Sequence, residues 1–327
     1  MAVFTSVTEQ DAHALLAHYK LGQLTKLQGI RAGIENTNYF LDTRSGPDTG
    51  RYVLTLFEVL SHAQLPFYIE LMHHLARHGL PVPEPQTRRD GKRLGTLHGK
   101  PCSIVTCLPG KSELHPTARH CELAAALLAQ VHLAGRDFSI QQPNLRSLPW
   151  WQHTIPQLLP FLSEAQAALI QDELAAQTKF YASPLYERLP RGVAHCDLFR
   201  DNALFDGTAD APRMGGFIDF YFAGWDAWLF DVAVSVNDWC IDHDTTHFAP
   251  DLLHAWLHAY AAQRPFTEAE RAAWPMMLRG AALRFWTSRL YDLHLPRDAQ
   301  TLQAHDPAHF ERLLLLRRNA SVADLPS

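Results

Sequence analysis

His195-Cys196-Asp197-Leu198-Phe199-Arg200-Asp201-Asn202, followed about twenty residues later by Gly216-Phe217-Ile218-Asp219-Phe220, decides how this chain is read. The first stretch offers a carboxylate and, five residues on, an amide oxygen; the second offers another carboxylate. Phosphoryl transfer from ATP needs a carboxylate near the acceptor hydroxyl and oxygen ligands that hold Mg²⁺ on the phosphates. Asp197, Asn202 and Asp219 supply those groups in that order. A short loop after a strand points Asp197 at the acceptor while Asn202 turns back toward the metal. Asp219 follows the apolar run 214–218, which reads as a strand. Hard oxygen donors of this kind suit Mg²⁺ and not zinc.

Taken singly, each of these residues has an ordinary explanation. Asp197 and Asp201 could cap a turn, and Asp219 could simply end a strand. Their order, spacing and apolar flanks together favour the phosphoryl-transfer site. His195 reads as a brace that hydrogen-bonds the loop and not as a proton carrier.

With 327 residues, 47% of them hydrophobic, the chain can bury a large core as one two-lobed unit or two domains. Net charge is −5 with scattered Lys and Arg, so no basic stripe offers itself to nucleic acid. The five cysteines are odd in number and form no CxxC pair, which argues against a disulfide framework or structural zinc and fits a reducing cytoplasm. The N-terminus lacks a basic start with an apolar core, and no apolar run reaches ~18 residues, so neither export nor membrane insertion is expected. Among the 19 histidines, His73, His74 and His78 and the pairs 243/247 and 254/258 could suggest metal binding, but no carboxylate or cysteine completes a convincing set around them.

Strand-like runs at 37–42, 51–57 and 101–107 predict an antiparallel sheet, with a helix at 65–78 stopped by Gly79, Pro81 and Pro83. After Leu108-Pro109-Gly110 the pattern changes to long helices at 117–134, 155–181, 250–263 and 267–293. The expected fold is α+β: a nucleotide-binding sheet lobe at 1–108 and a catalytic, substrate-binding helical lobe at 109–327, with the active site between them. Gly29 and Gly33 lie in a loop that would let backbone N–H groups approach phosphate oxygens. A hairpin turn explains the same glycines, and no Gly-Lys-Ser or Gly-Lys-Thr follows.

With these residues assembled, the chain resembles the aminoglycoside phosphotransferase and choline kinase superfamily over nearly its whole length. Within it, the chain is most similar to the kinase-like type of bacterial homoserine kinase. The residues that carry this are Gly33-Ile34-Glu35-Asn36-Thr37-Asn38-Tyr39-Phe40, Tyr52-Val53-Leu54-Thr55-Leu56-Phe57-Glu58, Leu65-Pro66-Phe67, Phe220-Tyr221-Phe222-Ala223-Gly224 and Asp231-Val232-Ala233. The resemblance implies a protein-kinase-like bilobal fold and ATP- and Mg²⁺-dependent phosphorylation of the side-chain hydroxyl of L-homoserine. It implies that Asp197 is the catalytic aspartate, that Asn202 and Asp219 hold Mg²⁺, and that 29–38, including Gly29, Gly33, Asn36 and Asn38, covers the phosphates. It also implies that the hinge Thr106, Cys107 and Leu108 meets adenine.

The chain departs from the superfamily in one place. The strand lysine that meets the α- and β-phosphates would fall close to Thr55, and no lysine is there. Arg51, Arg31 or the metal must then neutralise the polyanion. Glu70, at the helix-glutamate position, would be left with no lysine to pair. Homoserine carries an ammonium and a carboxylate, so its pocket should offer an acidic group and a cation or helix N-terminus near the loop. Glu35, Arg200, Asp201, Trp225 and Asp226 are candidates, each with an alternative: an ion pair for Arg200, the core for Trp225, a helix cap for Asp226. Choline, hydroxylysine or an aminoglycoside as acceptor, and a non-catalytic nucleotide-binding protein, are the rival readings.

Overall fold

The computed structural model describes residues 5–30, 36–208, 211–295, 306–319 and 324–326. The chain divides into two compact units, one up to Pro109 and one from Gly110. In the first, helix α1 (Glu9–Leu16) precedes strands β1 (Gln23–Gly29), β2 (Asn36–Ser45) and β3 (Asp48–Phe57), then helix α2 (Pro66–Arg77), β4 (Gly95–Leu97) and β5 (Lys100–Thr106). They form one five-stranded antiparallel sheet in the order β1-β2-β3-β5-β4. Along β2 the side chains of Thr37, Tyr39, Leu41 and Thr43 turn inward at every second residue, the alternation a one-faced sheet requires. Leu41, Leu54, Leu56 and Ile104 pack there with Leu15 and Leu16 of α1. Helix α1 starts at a capping box in which Thr8 and Asp11 exchange hydrogen bonds.

The second unit opens with β6 (Lys111–Ser112), α3 (Ala118–Ala134), α4 (Leu148–Leu158), α5 (Glu164–Tyr181), the short α6 (Pro184–Glu187) and β7 (Arg191–Ala194). It continues with β8 (Ala203–Thr208), β9 (Ala211–Phe217), β10 (Gly224–Ala227), α7 (Trp228–Trp239), α8 (Pro250–Gln263), α9 (Glu268–His294) and α10 (Ala308–Asn319). Two small sheets, β6-β8-β9 and β10-β7, sit among helices whose core holds the buried Trp151, Trp239, Trp256, Trp274 and Trp286. No helix among the described residues is long and apolar enough to cross a membrane.

The helical run expected at 155–181 begins earlier and is broken. Pro160 cannot donate a backbone hydrogen bond, and Ser163 caps a new helix by accepting from the Gln166 N–H. Helix α7 was not among the expected helices, and it has almost no wet face; Trp228 to Asn237 are buried without interruption.

Candidate active site

Strand β7 delivers the chain into 195–202, and a residue far along the sequence sets the turn. Asp231, fully buried on α7, accepts from the backbone N–H of His195 (2.6 Å) and of Cys196 (2.8 Å). Its Oδ2 also accepts from Nε2 of the buried His132 (3.0 Å), whose Nδ1 accepts from the Tyr260 hydroxyl (2.6 Å). Burial alone would raise the Asp231 carboxyl, but the hydrogen bonds it accepts from His132 and from the His195 N–H hold it below the usual carboxylate range. Cys196 is left with φ of +61°, a left-handed conformation that costs a side-chain-bearing residue roughly 1–2 kcal/mol. Two hydrogen bonds donated to one carboxylate hold that turn in place.

Asp219 is held from the same segment. The Ile218 N–H donates to the Asn202 carbonyl (2.9 Å), and the Ile218 carbonyl accepts from His195 Nε2 (2.9 Å). Both backbone groups before Asp219 are therefore fixed by 195–202, and Asp219 itself takes φ of +62°. Burial pushes the His195 imidazole down, so it is neutral, with Nε2 protonated to donate. Asn202 donates through Nδ2 to the Asp197 carbonyl (2.8 Å), which leaves its Oδ1 as an oxygen donor beside the Asp219 turn. Two hard oxygen donors on adjoining backbone fit Mg²⁺.

Asp197 keeps 16% of its side chain exposed and meets Arg284 of α9, whose Nη2 lies 3.2 Å from its Oδ1. Arg284 is 4% exposed, with its guanidinium 3.7 Å above the Phe285 ring and 5.3 Å from the Phe222 ring. Burial first, then the Arg146 and Arg289 charges, lower its pKa to about 10 against the pull of Asp197.

The model of the phosphotransferase enzyme family matches residues 26–274. The chain belongs to that family. Its relatives there include the homoserine kinase of Burkholderia ambifaria, 55% identical over 96% of this chain and 95% of that one. The homoserine kinase of Paraburkholderia phymatum is 55% identical over 96% of this chain and 97% of that one. The resemblance read from the sequence holds at this level. An amicoumacin kinase in complex with AMP-PNP, Ca²⁺ and amicoumacin superposes with a TM-score of 0.68 at 15% identity, covering 95% of this chain and 92% of its own. A spectinomycin phosphotransferase in complex with ADP and spectinomycin gives 0.63 at 14%, covering 95% of each chain. The expected α+β, kinase-like fold, a small antiparallel-sheet lobe followed by a helical lobe, is that of these phosphotransferases.

The other candidates of this phosphotransferase fall in several places. Arg200 is committed to Asp238, through its backbone N–H (2.8 Å) and Nε (3.1 Å), and to the Leu114 carbonyl. Asp201 is exposed on the same turn. Asp226 is buried in a separate network, accepting from Asn144 Nδ2 (2.7 Å) and the Ala227 N–H (2.7 Å), and burial pushes its carboxyl up. Trp225 is half-buried on β10, its backbone bonded to Gln142 and Asn144. Gly33, Glu35 and Arg31 lie outside the described residues. Gly29 pairs with Tyr39, and Asn36 with Phe57, at the ends of their strands. Thr55, at the lysine position, is buried and donates to Asn38 Oδ1 (2.7 Å). The Thr106 N–H donates to the Glu84 carbonyl, and Leu108 is half-buried. Arg51 pairs with Asp42 (2.9 Å), and Glu70 has a partner after all, Arg93, at 2.9 Å from both carboxylate oxygens.

His132 and Arg284 were not found from the sequence. For Arg284 a signal existed: one charge inside Gly280-Ala281-Ala282-Leu283-Arg284-Phe285-Trp286, an otherwise apolar run that had to be buried.

Proposed function

We propose that this phosphotransferase moves the γ-phosphoryl group of ATP to the side-chain hydroxyl of L-homoserine, giving O-phospho-L-homoserine in a cytoplasmic setting. The observation that carries the reading is 55% identity to homoserine kinases over 96% of the chain, a span that includes the whole 195–219 site. The sheet unit, with Gly29, Gly33, Asn36, Asn38, Thr106 and Leu108, takes the nucleotide. The Thr106 N–H is already bonded to Glu84, which leaves its carbonyl and the Leu108 backbone for adenine.

Asn202 Oδ1 and the Asp219 carboxylate would hold Mg²⁺, which when bound neutralises charge on the phosphates. Asp197 accepts a hydrogen bond from the acceptor hydroxyl, aligns its oxygen, and takes the proton late, so it need not be a strong base. Its pairing with Arg284 suits that role, since a neighbouring cation favours the ionised form that accepts. Catalysis is then mostly positioning and electrostatics.

The test is ADP release with Mg²⁺ and ATP against L-homoserine, choline, hydroxylysine and kanamycin, with Asp197→Asn protein as the blank. Turnover with homoserine that disappears in the blank is expected. Turnover with another acceptor alone overturns the substrate, and none with any acceptor overturns the enzyme.

A further inference from the structure

Two arginine–carboxylate pairs made by α9 are of very different build. Arg279 grips the buried Glu173 with three N–H···O contacts of 3.1, 3.1 and 2.6 Å, the fork geometry of a structural ion pair. Arg284, five residues along the same helix, reaches Asp197 with one contact of 3.2 Å, and its buried Nε has no hydrogen-bond partner among the described residues. One turn further, the buried Thr287 Oγ1 also lacks a partner there. Burying a guanidinium and leaving a donor unmade is costly unless something else completes the set.

The surroundings give the sign of what is missing. Arg146 and Arg289 lie close enough for their charges to act on Arg284. The Asp197 carboxylate has its own task on the acceptor hydroxyl, and the buried Arg284 Nε–H still lacks an acceptor among the described residues. A donor on a cation is best met by an anion. A cationic acceptor such as choline would be repelled here, whereas an amino acid brings a carboxylate. In homoserine the hydroxyl and carboxylate oxygens are five bonds apart, a reach of at most ~6 Å given ordinary bond lengths. One small molecule can therefore touch Asp197 with its hydroxyl and the guanidinium beside it with its carboxylate.

We propose that Arg284 receives the carboxylate of the amino-acid acceptor and so sets the enzyme's preference for an α-amino acid over a plain amino alcohol. This rests on the homoserine reading. The Asp197–Arg284 contact is the pair that the substrate divides between its two ends.

The experiment compares homoserine with 3-aminopropan-1-ol, which has the same hydroxyl and ammonium but no carboxylate, in wild type, Arg284→Met and Arg284→Lys. Wild type should favour homoserine in kcat/KM by on the order of 10²-fold, the scale expected when one partner of a buried charge pair is removed. Arg284→Met should lose that preference, because the homoserine KM rises by a similar factor on top of whatever rate loss the variant shows on both acceptors. Arg284→Lys should recover part of it. Equal losses on both acceptors would mean that Arg284 only steadies Asp197 or the transferred phosphoryl group, and would overturn the proposal. Wild type that phosphorylates aminopropanol and not homoserine would overturn the homoserine reading, and this proposal with it. Since a buried arginine can be needed for folding, a second readout uses the intact protein. In ¹⁵N-arginine-labelled wild type, the Nε–H resonance absent from Arg284→Lys should move downfield on adding homoserine but not aminopropanol; no movement with homoserine overturns the assignment.

Discussion

Asp231 puts one carboxylate under two consecutive backbone N–H groups and a histidine N–H, and the turn that carries Asp197 depends on all three. Asp231→Asn keeps one acceptor oxygen but turns an NH₂ toward a group that is itself a donor. We expect a loss of ~3 kcal/mol in urea unfolding, the usual consequence of breaking a buried charged network. We also expect kcat to fall at least tenfold as the strained Cys196 conformation relaxes; normal stability and rate would show that the turn holds itself. Asp197→Asn should behave differently. It leaves the Cys196 turn intact but removes the charge that faces the buried Arg284, so the denaturation midpoint falls less than for Asp231→Asn, while kcat drops by about 10²–10⁴-fold, the range typical of a lost proton acceptor, with ATP affinity unchanged. Equal loss of ATP affinity would contradict the role given to Asp197. These residues also mark what the sequence could show. Asp197, Asn202 and Asp219 are legible because the chemistry requires them close along the chain. Asp231 entered only through the family resemblance, and Arg284 and His132 lie 87 residues after and 65 residues before Asp197, so no local spacing announces them.

Among the elements, those with one wet face were readable and those without were not. Strand β2 shows its alternation, and α3, α8 and α9 lie within a residue or two of the expected ranges. Helix α7 is buried nearly all round, and the 148–181 region was misjudged because a proline and a serine cap divide a pattern that periodicity alone reads as continuous. Packing of α5 on α9 was also invisible, since it rests on a charge inside the core. Glu173 is fully buried, held by Arg279 and by Gln177 Nε2 (2.9 Å). Glu173→Leu leaves Arg279, 20% exposed, without its fork, and should cost about 3 kcal/mol by denaturant midpoint. Adding Arg279→Met should restore most of it, because a matched apolar pair is tolerated where a lone buried charge is not. A double variant as unstable as the single one would show that the pair does more than satisfy itself.

Across the molecule, six histidines lean one way. His132 and His195 are held neutral by burial, and His73, His120, His243 and His309 are lowered from 6.5 by partial burial in the same direction. Around His132 stand Asp231, which favours its charged form, Arg264, which opposes it, and Glu270, yet burial outweighs them. Between the depressed native values and 6.5 the unfolded chain binds more protons than the folded one, so stability rises with pH through that window and is lost as pH falls below about 6.5. Each fully buried histidine contributes at most about 1.4 kcal/mol per pH unit. Asp231 acts lower: its contribution is complete above the ordinary carboxylate value of ~3.9 and disappears as pH falls through its own depressed one. Urea unfolding should therefore be nearly flat from pH 8 to 7 and weaken steadily from 6.5 to 5. His195→Gln, which keeps a side-chain N–H for the Ile218 carbonyl, should shallow that slope even if it lowers stability at pH 8. An unchanged slope in that variant would place the acid sensitivity elsewhere and show that His195 titrates alike in the folded and unfolded chain.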